Sequence, residues 1–92
     1  MEAARRRGLA RLQLRWPARR QELALRAASD VRVGELCEAY ETACAALDYW
    51  LHSAASIAPE RIEEYRSLII ATEEDVLALI NPRTEGTPPR RR

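Results

Sequence analysis

Few residues of this 92-residue chain have the types and spacing that metal or redox chemistry requires. His52 is the only histidine, and its nearest potential co-ligand at helical spacing is Asp48. Because a closed zinc site needs about four ligands, this pair predicts a surface histidine and no metal site. Cys37 and Cys44 are seven positions apart, roughly 10 Å along a helix, which is too far for a disulfide within the chain. We expect two reduced thiols, as in a cytoplasmic protein.

Adjacent carboxylates occur twice, at Glu63-Glu64 and at Glu73-Glu74-Asp75. General acid–base chemistry needs a pocket that shifts the pKa of one carboxyl group, whereas these runs are typical of a solvated helix face. The chain has no glycine-rich phosphate loop, no Cys-x-x-Cys pair and no serine elbow. We therefore predict no enzyme activity, no catalytic residue and no cofactor. An enzyme would require His52 and a cysteine to share one pocket.

The organising element of the chain is a predicted pair of amphipathic helices, at about 33–57 and 59–80. Apolar residues recur in both at alternating steps of three and four, which is typical of one helix face. Pro59 suits a first helical turn and disfavours helical geometry at Ala58, so the first helix should end by Ile57. A short link favours an antiparallel hairpin. The two stripes are Val33, Leu36, Tyr40, Ala43, Leu47, Trp50, Ala54 and Ile57, and Ile62, Tyr65, Ile69, Thr72, Val76 and Leu79.

The acidic residues of the two helices, including Glu38, Glu41 and Glu73, are expected to face water. Two helices alone bury only a narrow seam, which rarely offsets the entropy lost on folding. The predicted fold class is therefore all-α: an antiparallel hairpin with a possible short N-terminal helix. Its core would be completed by dimerisation or by that third helix.

Charge divides the chain into three regions. Residues 1–32 carry a net charge of +6, residues 33–80 carry −8 and residues 81–92 carry +3. We predict an arginine-rich N-terminal extension at 1–30, an acidic hairpin at 31–81 and a disordered Pro/Arg tail at 82–92. Pro17 interrupts the extension, which should form either two short helical pieces or one helix from about residue 17. The extension has one apolar helical face, formed by Leu9, Leu12, Trp16, Leu23 and Ala27.

A basic amphipathic extension fits several roles. It can lie on an anionic membrane surface, contact nucleic-acid phosphates or act as an organelle transit peptide. It can also be a loosely ordered extension whose last part packs on the hairpin. The nucleic-acid interpretation assigns the phosphate contacts to Arg11, Arg15, Arg19, Arg20 and Arg26.

The sequence favours a small non-enzymatic protein–protein interaction module of the regulator, adaptor or inhibitor type. Its apolar stripe would pair with a second copy in a homodimer or with a foreign protein. The expected partner contacts are Tyr49, Trp50, Ile70 and Leu77. The alternative is a nucleic-acid-binding accessory protein that grips phosphates with its arginine-rich arms. No apolar run approaches the length of a membrane span, and we expect a cytoplasmic location.

Overall fold

The computed structural model describes residues 2–81, and the regular structure within them is entirely helical. Helix α1 spans Glu2–Arg15, α2 spans Arg20–Ser29, α3 spans Val31–Leu51 and α4 spans Ala58–Ile80. A single 3₁₀ turn, Pro17–Arg19, separates α1 from α2. The predicted all-α class is therefore confirmed. The predicted tail at 82–92 lies outside the described residues.

Residues 2–29 form two helices separated at Pro17, and the first is longer than the sequence suggested. Of the two predicted alternatives, the structure has two helical pieces and not one helix from about residue 17, and the first piece, α1, already begins at Glu2. Alanine and arginine are strong helix formers, and the apolar side chains of α1 gain burial against α3. Pro17 ends α1 because it moves Trp16 out of helical geometry, to φ −130° and ψ 74°. The proline thus divides the segment without preventing its first half from folding.

The boundaries of α3 and α4 also differ from the prediction. Asp30 caps α3 by accepting a hydrogen bond from the Arg32 backbone N–H at 2.9 Å. The helix ends at Leu51 and not at 57. In the link, the Ser53 hydroxyl accepts the Ala55 backbone N–H at 3.1 Å, a local turn that competes with helix continuation. Helix α4 begins at Ala58, with Pro59 in its first turn.

Helix α3 is the centre of the molecule and contacts α1, α2 and α4. A single core cluster joins all four helices. Its fully or nearly fully buried members are Leu12, Leu23, Val33, Cys37, Tyr40, Val76 and Ile80. Helices α1 and α2 therefore complete the core that α3 and α4 would otherwise leave open. None of the helices in the described part of the chain is both long and apolar enough to span a bilayer.

The closest approach between α1 and α3 occurs at Gly8. A Cβ atom built on Gly8 would overlap the backbone carbonyl oxygen of Cys37 and lie 2.6 Å from its carbonyl carbon. Only glycine leaves room for the two backbones at this distance. Gly34 is also buried, but a Cβ there would first meet the flexible Arg5 side chain, 3.3 Å away at Nη1.

The molecule has two unlike ends. The buried cluster and the hydrophobic residues packed against it all lie within 9–44 and 69–80, which we call the four-helix end. Residues 45–68 form the two-helix end, where the last turns of α3 meet the first turns of α4. Among the described residues, no side chain of α1 or α2 hydrogen-bonds or ion-pairs with residues 45–68.

Candidate interaction site

Four arginines of α1 are paired with glutamates of α3 and α4, forming what we call the arginine–glutamate cluster. Arg5 Nε lies 3.2 Å from Glu38 Oε1, and Arg15 Nε lies 3.3 Å from Glu73 Oε2. Glu41 accepts from two arginines, with Nε–O distances of 2.6 Å to Arg11 and 3.2 Å to Arg7. Each pair joins α1 to α3 or α4, so the cluster holds α1 in place.

Two of the three carboxylates of this cluster are largely withdrawn from water, whereas 36% of the Glu38 side chain is exposed. Only 11% of the Glu41 side chain and 14% of the Glu73 side chain are exposed. This corrects the prediction that these glutamates face solvent. The Arg11 and Arg7 hydrogen bonds hold the pKa of Glu41 below its usual value, and the same contact with Glu41 raises the pKa of Arg11. Both groups are therefore fixed in their charged forms.

Tyr40 extends the cluster into the seam between α3 and α4. Its hydroxyl donates a 2.6 Å hydrogen bond to Glu73 Oε2. Burial, together with this carboxylate, raises the pKa of Tyr40 far above its usual value. The Tyr40 phenol therefore stays neutral and acts as a hydrogen-bond donor. Because Tyr40 and Arg15 both bind the Glu73 carboxylate, Glu73 is not free to act as a general base. The role of the cluster is therefore to hold α1, α3 and α4 in position.

The cysteines and the histidine are not arranged for chemistry. Burial raises the pKa of both Cys37 and Cys44, so both thiols stay protonated at neutral pH and are weak nucleophiles. His52 directly follows α3 and is exposed, with its Nδ1 atom 2.8 Å from the Asp48 carbonyl oxygen. Within residues 2–81, no group of three or more histidine, cysteine, aspartate or glutamate side chains is placed to hold a metal ion.

Four of the five arginines predicted to contact phosphates take part in contacts within the chain. Arg11 and Arg15 belong to the arginine–glutamate cluster. Arg19 donates to the Asn81 side-chain oxygen at 3.0 Å, and Arg26 donates to the Leu79 carbonyl oxygen at 2.8 Å. The Arg26 contact satisfies one of the free carbonyls at the end of α4. Arg20 is exposed and makes no ion pair within residues 2–81.

The four predicted partner contacts do not form one surface. Tyr49 is 65% exposed and stacks edge-to-face on half-buried Trp50, with ring centroids 5.1 Å apart. Ile70 is 56% exposed on α4, while Leu77 is half-buried against the core cluster. Taking the Tyr40–Glu73 contact as a common level, Tyr49 and Leu77 are roughly 20 Å apart along the helices.

The concave apolar surface is elsewhere, in the α3–α4 groove at the four-helix end. This open groove encloses about 600 Å³ and is lined by Arg32, Glu35, Leu36, Ala39, Asp75, Ala78 and Leu79. Its floor is formed by two leucines and two alanines, while Glu35 and Asp75 are exposed on its rim. The groove lies on a different side of α3 from α1, which covers Gly34, Cys37 and Glu41.

The groove and the cluster both arise from features that single helices do not reveal. Leu36 and Leu79 belong to the predicted stripes, but they lie at the edge of the seam and are therefore only half-buried. The cluster had a sequence signal, because Arg7, Arg11 and Arg15 recur every four residues on a basic segment beside an acidic one. We did not predict that the +6 and −8 segments would pair with each other through these side chains.

A second concavity, of about 550 Å³, lies at the two-helix end beside Tyr49. Its other lining residues are the polar Asp48, His52 and Ser53. It therefore lacks the apolar floor that distinguishes the α3–α4 groove.

No protein-family model matches the chain, and searches of curated proteins and of solved structures gave no significant match. Function must therefore be inferred from the residues and geometry of the chain itself.

Proposed function

We propose that the chain is a small, non-enzymatic protein–protein interaction module of the regulator, adaptor or inhibitor type. It acts through the antiparallel hairpin of α3 and α4. The observation that carries the proposal is the α3–α4 groove, whose apolar floor of Leu36, Ala39, Ala78 and Leu79 is open to solvent. Apolar grooves between helices are a recurrent docking surface for protein segments. Tyr40 and Glu41, whose pKa values are shifted, both make hydrogen bonds that position the helices. The groove is therefore the feature that best resembles a binding site.

The proposed partner is a foreign protein, with a homodimer as the alternative. A second copy was expected because two helices cannot complete a core. Helices α1 and α2 now contribute Leu12 and Leu23 to that core, so the chain no longer requires a second copy for stability. The proposal also includes a cytoplasmic location, since Cys37 and Cys44 are both free thiols and α3 separates them by two helical turns.

Nucleic-acid binding by the arginine-rich arms is the second candidate function. Its support is the charge of +6 on residues 1–32. The contacts of Arg11, Arg15, Arg19 and Arg26 within the chain weigh against it, because a guanidinium bound to a carboxylate has less charge to offer a phosphate. Binding to duplex DNA measured at two salt concentrations tests it, and the absence of affinity at low salt would eliminate it.

The proposal is tested by blocking the groove with one side chain. Ala39→Arg places a long charged group on its floor, while Ala45→Arg adds the same group to an exposed position of α3 that lines none of the described grooves. Tagged wild-type protein and both variants are used to capture proteins from the cells that naturally express the chain. We expect a bound protein that is retained by Ala45→Arg and lost with Ala39→Arg. Capture of the same proteins by all three chains would contradict the proposal.

Light scattering over a concentration series separates the two kinds of partner. A monomeric mass at all concentrations agrees with a foreign partner. A dimer that is abolished by Ala39→Arg and not by Ala45→Arg would instead assign the groove to a second copy.

A further inference from the structure

We infer that the α3–α4 groove receives a basic amphipathic helix of a partner protein. The inference rests on the proposed function, which states only that a protein docks there. The shape of the groove indicates that the docking segment is a helix, and the charge of its rim indicates that this helix is basic.

The shape of the groove suits a helix. Two packed helices form the groove, and the small side chains of Ala39 and Ala78 in its floor let a third helix approach closely. Leu36 and Leu79 provide an apolar floor against which aliphatic residues at helical spacing can pack. An added β-strand has no comparable site, since the described residues contain no sheet edge.

The charge of the rim is acidic. Glu35 on α3 and Asp75 on α4 are exposed, and neither makes an ion pair within residues 2–81. Arg32 is the only basic residue lining the groove, and its guanidinium is bound to Asp30, with Nη2 3.2 Å from Oδ2. Two carboxylates thus flank the apolar floor from opposite helices, and a partner with arginine or lysine beside its apolar stripe would complement both.

The chain already contains one example of this arrangement. Helix α1 is a basic amphipathic helix that packs on another side of α3, with Leu9 and Leu12 against the core. Its guanidinium groups reach the flanking carboxylates of Glu38 and Glu41. The α3–α4 groove likewise has an apolar floor between two acids, and Glu35 and Asp75 make no ion pair within residues 2–81.

A second copy fits the groove less well. In a groove-to-groove dimer, the exposed Glu35 and Asp75 of one copy would lie against those of the other, and these like charges would repel each other. The basic α1 of a second copy is already bound to its own α3 through the arginine–glutamate cluster. A basic helix of a foreign protein would be attracted to the acidic rim and is not already bound to another surface.

The test uses two fluorescent synthetic peptides of about 18 residues, long enough to become helical on binding. Both have leucine and alanine at helical spacing. One has arginines beside the stripe, and the other has glutamates at the same positions. Fluorescence anisotropy with the full-length protein should show binding of the arginine peptide at least about tenfold tighter than binding of the glutamate peptide.

Charge reversal distinguishes the groove from general acidic attraction. Glu35→Lys with Asp75→Lys changes the rim. Glu60→Lys with Glu63→Lys makes the same charge change at exposed acids of the two-helix end. We expect the rim variant to weaken binding of the arginine peptide by about tenfold or more and to improve binding of the glutamate peptide. The Glu60/Glu63 variant should retain the preference for arginine. An equal loss in both variants, or equal binding of the two peptides by the wild-type protein, would overturn the inference.

The capture experiment separates this inference from the proposed function. If Ala39→Arg abolishes capture but the rim variant retains it, the groove is a docking site for a segment that is not basic, and only the inference fails. If Ala39→Arg leaves capture unchanged, the proposed function itself fails.

Discussion

The two ends of this molecule have the same sequence periodicity and unlike packing. At the four-helix end, α1 and α2 cover α3, and Val33, Val76 and Leu12 have no exposed surface. At the two-helix end the same three–four spacing continues, yet the stripe residues Leu47, Trp50, Ile62 and Tyr65 are only half-buried and Ile57 is 39% exposed. The difference arises because α1 is only 14 residues long, so it can cover no more than part of α3.

The two ends also differ in how their exposed apolar residues are arranged. Exposed apolar residues at the two-helix end, such as Tyr49, Leu51 and Leu68, are distributed along the surface without a common concavity. At the four-helix end, the helices hold Leu36, Ala39, Ala78 and Leu79 around one groove. A rigid, well-packed region presents the groove in a fixed shape, which favours specific docking.

The largest effect is expected from Gly8→Ala. The added Cβ meets backbone atoms of Cys37 that cannot move aside, so α1 must separate from α3. We expect the free energy of unfolding to fall by about 3 kcal/mol or more, measured by urea denaturation followed by circular dichroism. The matched control is Gly34→Ala, where the new methyl group meets a flexible arginine and the helix gains up to about 1 kcal/mol of propensity. Equal stability of the two variants would show that α1 does not pack as described.

Truncation of one leucine at each end should give the next largest difference. Leu12 is fully buried at the four-helix end, and its replacement by alanine should cost about 3 kcal/mol. Leu51→Ala at the two-helix end should cost less than about 1 kcal/mol, because half of that side chain is already exposed. The thermal unfolding midpoints of the two variants provide the comparison. A larger fall in the unfolding midpoint for Leu51→Ala than for Leu12→Ala would mean that another surface, such as a second copy, covers the two-helix end.

The third expected difference in stability concerns two ion pairs of the same length, one at each end of the molecule. Arg11–Glu41 and Arg61–Glu64 both have N–O distances of 2.6 Å, but 11% of the Glu41 side chain is exposed and 59% of the Glu64 side chain. Glu41→Gln should lower stability at neutral pH by about 1–2 kcal/mol. Glu64→Gln should change it by less than about 0.5 kcal/mol.

The dependence on pH provides the check. The pKa of Glu41 in the folded protein is held below its ordinary 4.5, so its contribution is present above that pH and is lost as the pH falls through the folded-state value. The stability of the wild type and of Glu41→Gln should therefore converge as the medium is acidified below about pH 4. The difference between the wild type and Glu64→Gln should stay small throughout. A difference for Glu41→Gln that persists unchanged in acid would mean that packing, and not charge, accounts for its effect.

The sequence predicted the helical class, and the two stripes include half of the residues that α3 and α4 bury, because the spacing of those residues depends only on local periodicity. The early end of α3 at Leu51 was not predictable in this way, since Ala54 and Ile57 continue the stripe and the competing contact is a serine hydroxyl bond. The burial of Glu41 and Glu73 was missed for another reason. Carboxylates are expected at the surface unless a partner is known, and here the partners are more than 25 residues away, on α1.

The candidate site was predicted only in part. Aromatic and aliphatic residues were correctly placed on helices, but periodicity cannot say which of them will surround a concavity. That depends on how α1 and α2 fill one side of α3 and leave the other side open. The arginines were assigned to an external phosphate on charge alone, without the pairing of Arg11 with Glu41 and of Arg15 with Glu73 that only the folded chain shows.

The most direct test of the central claim is an NMR titration of isotopically labelled full-length protein with the arginine peptide. We expect the shifted amide resonances to cluster at Leu36, Ala39, Ala78 and Leu79, with those of the two-helix end unchanged. Shifts centred on Tyr49 and Leu51, or spread evenly over the exposed acids of α4, would contradict the claim that the α3–α4 groove is the docking surface.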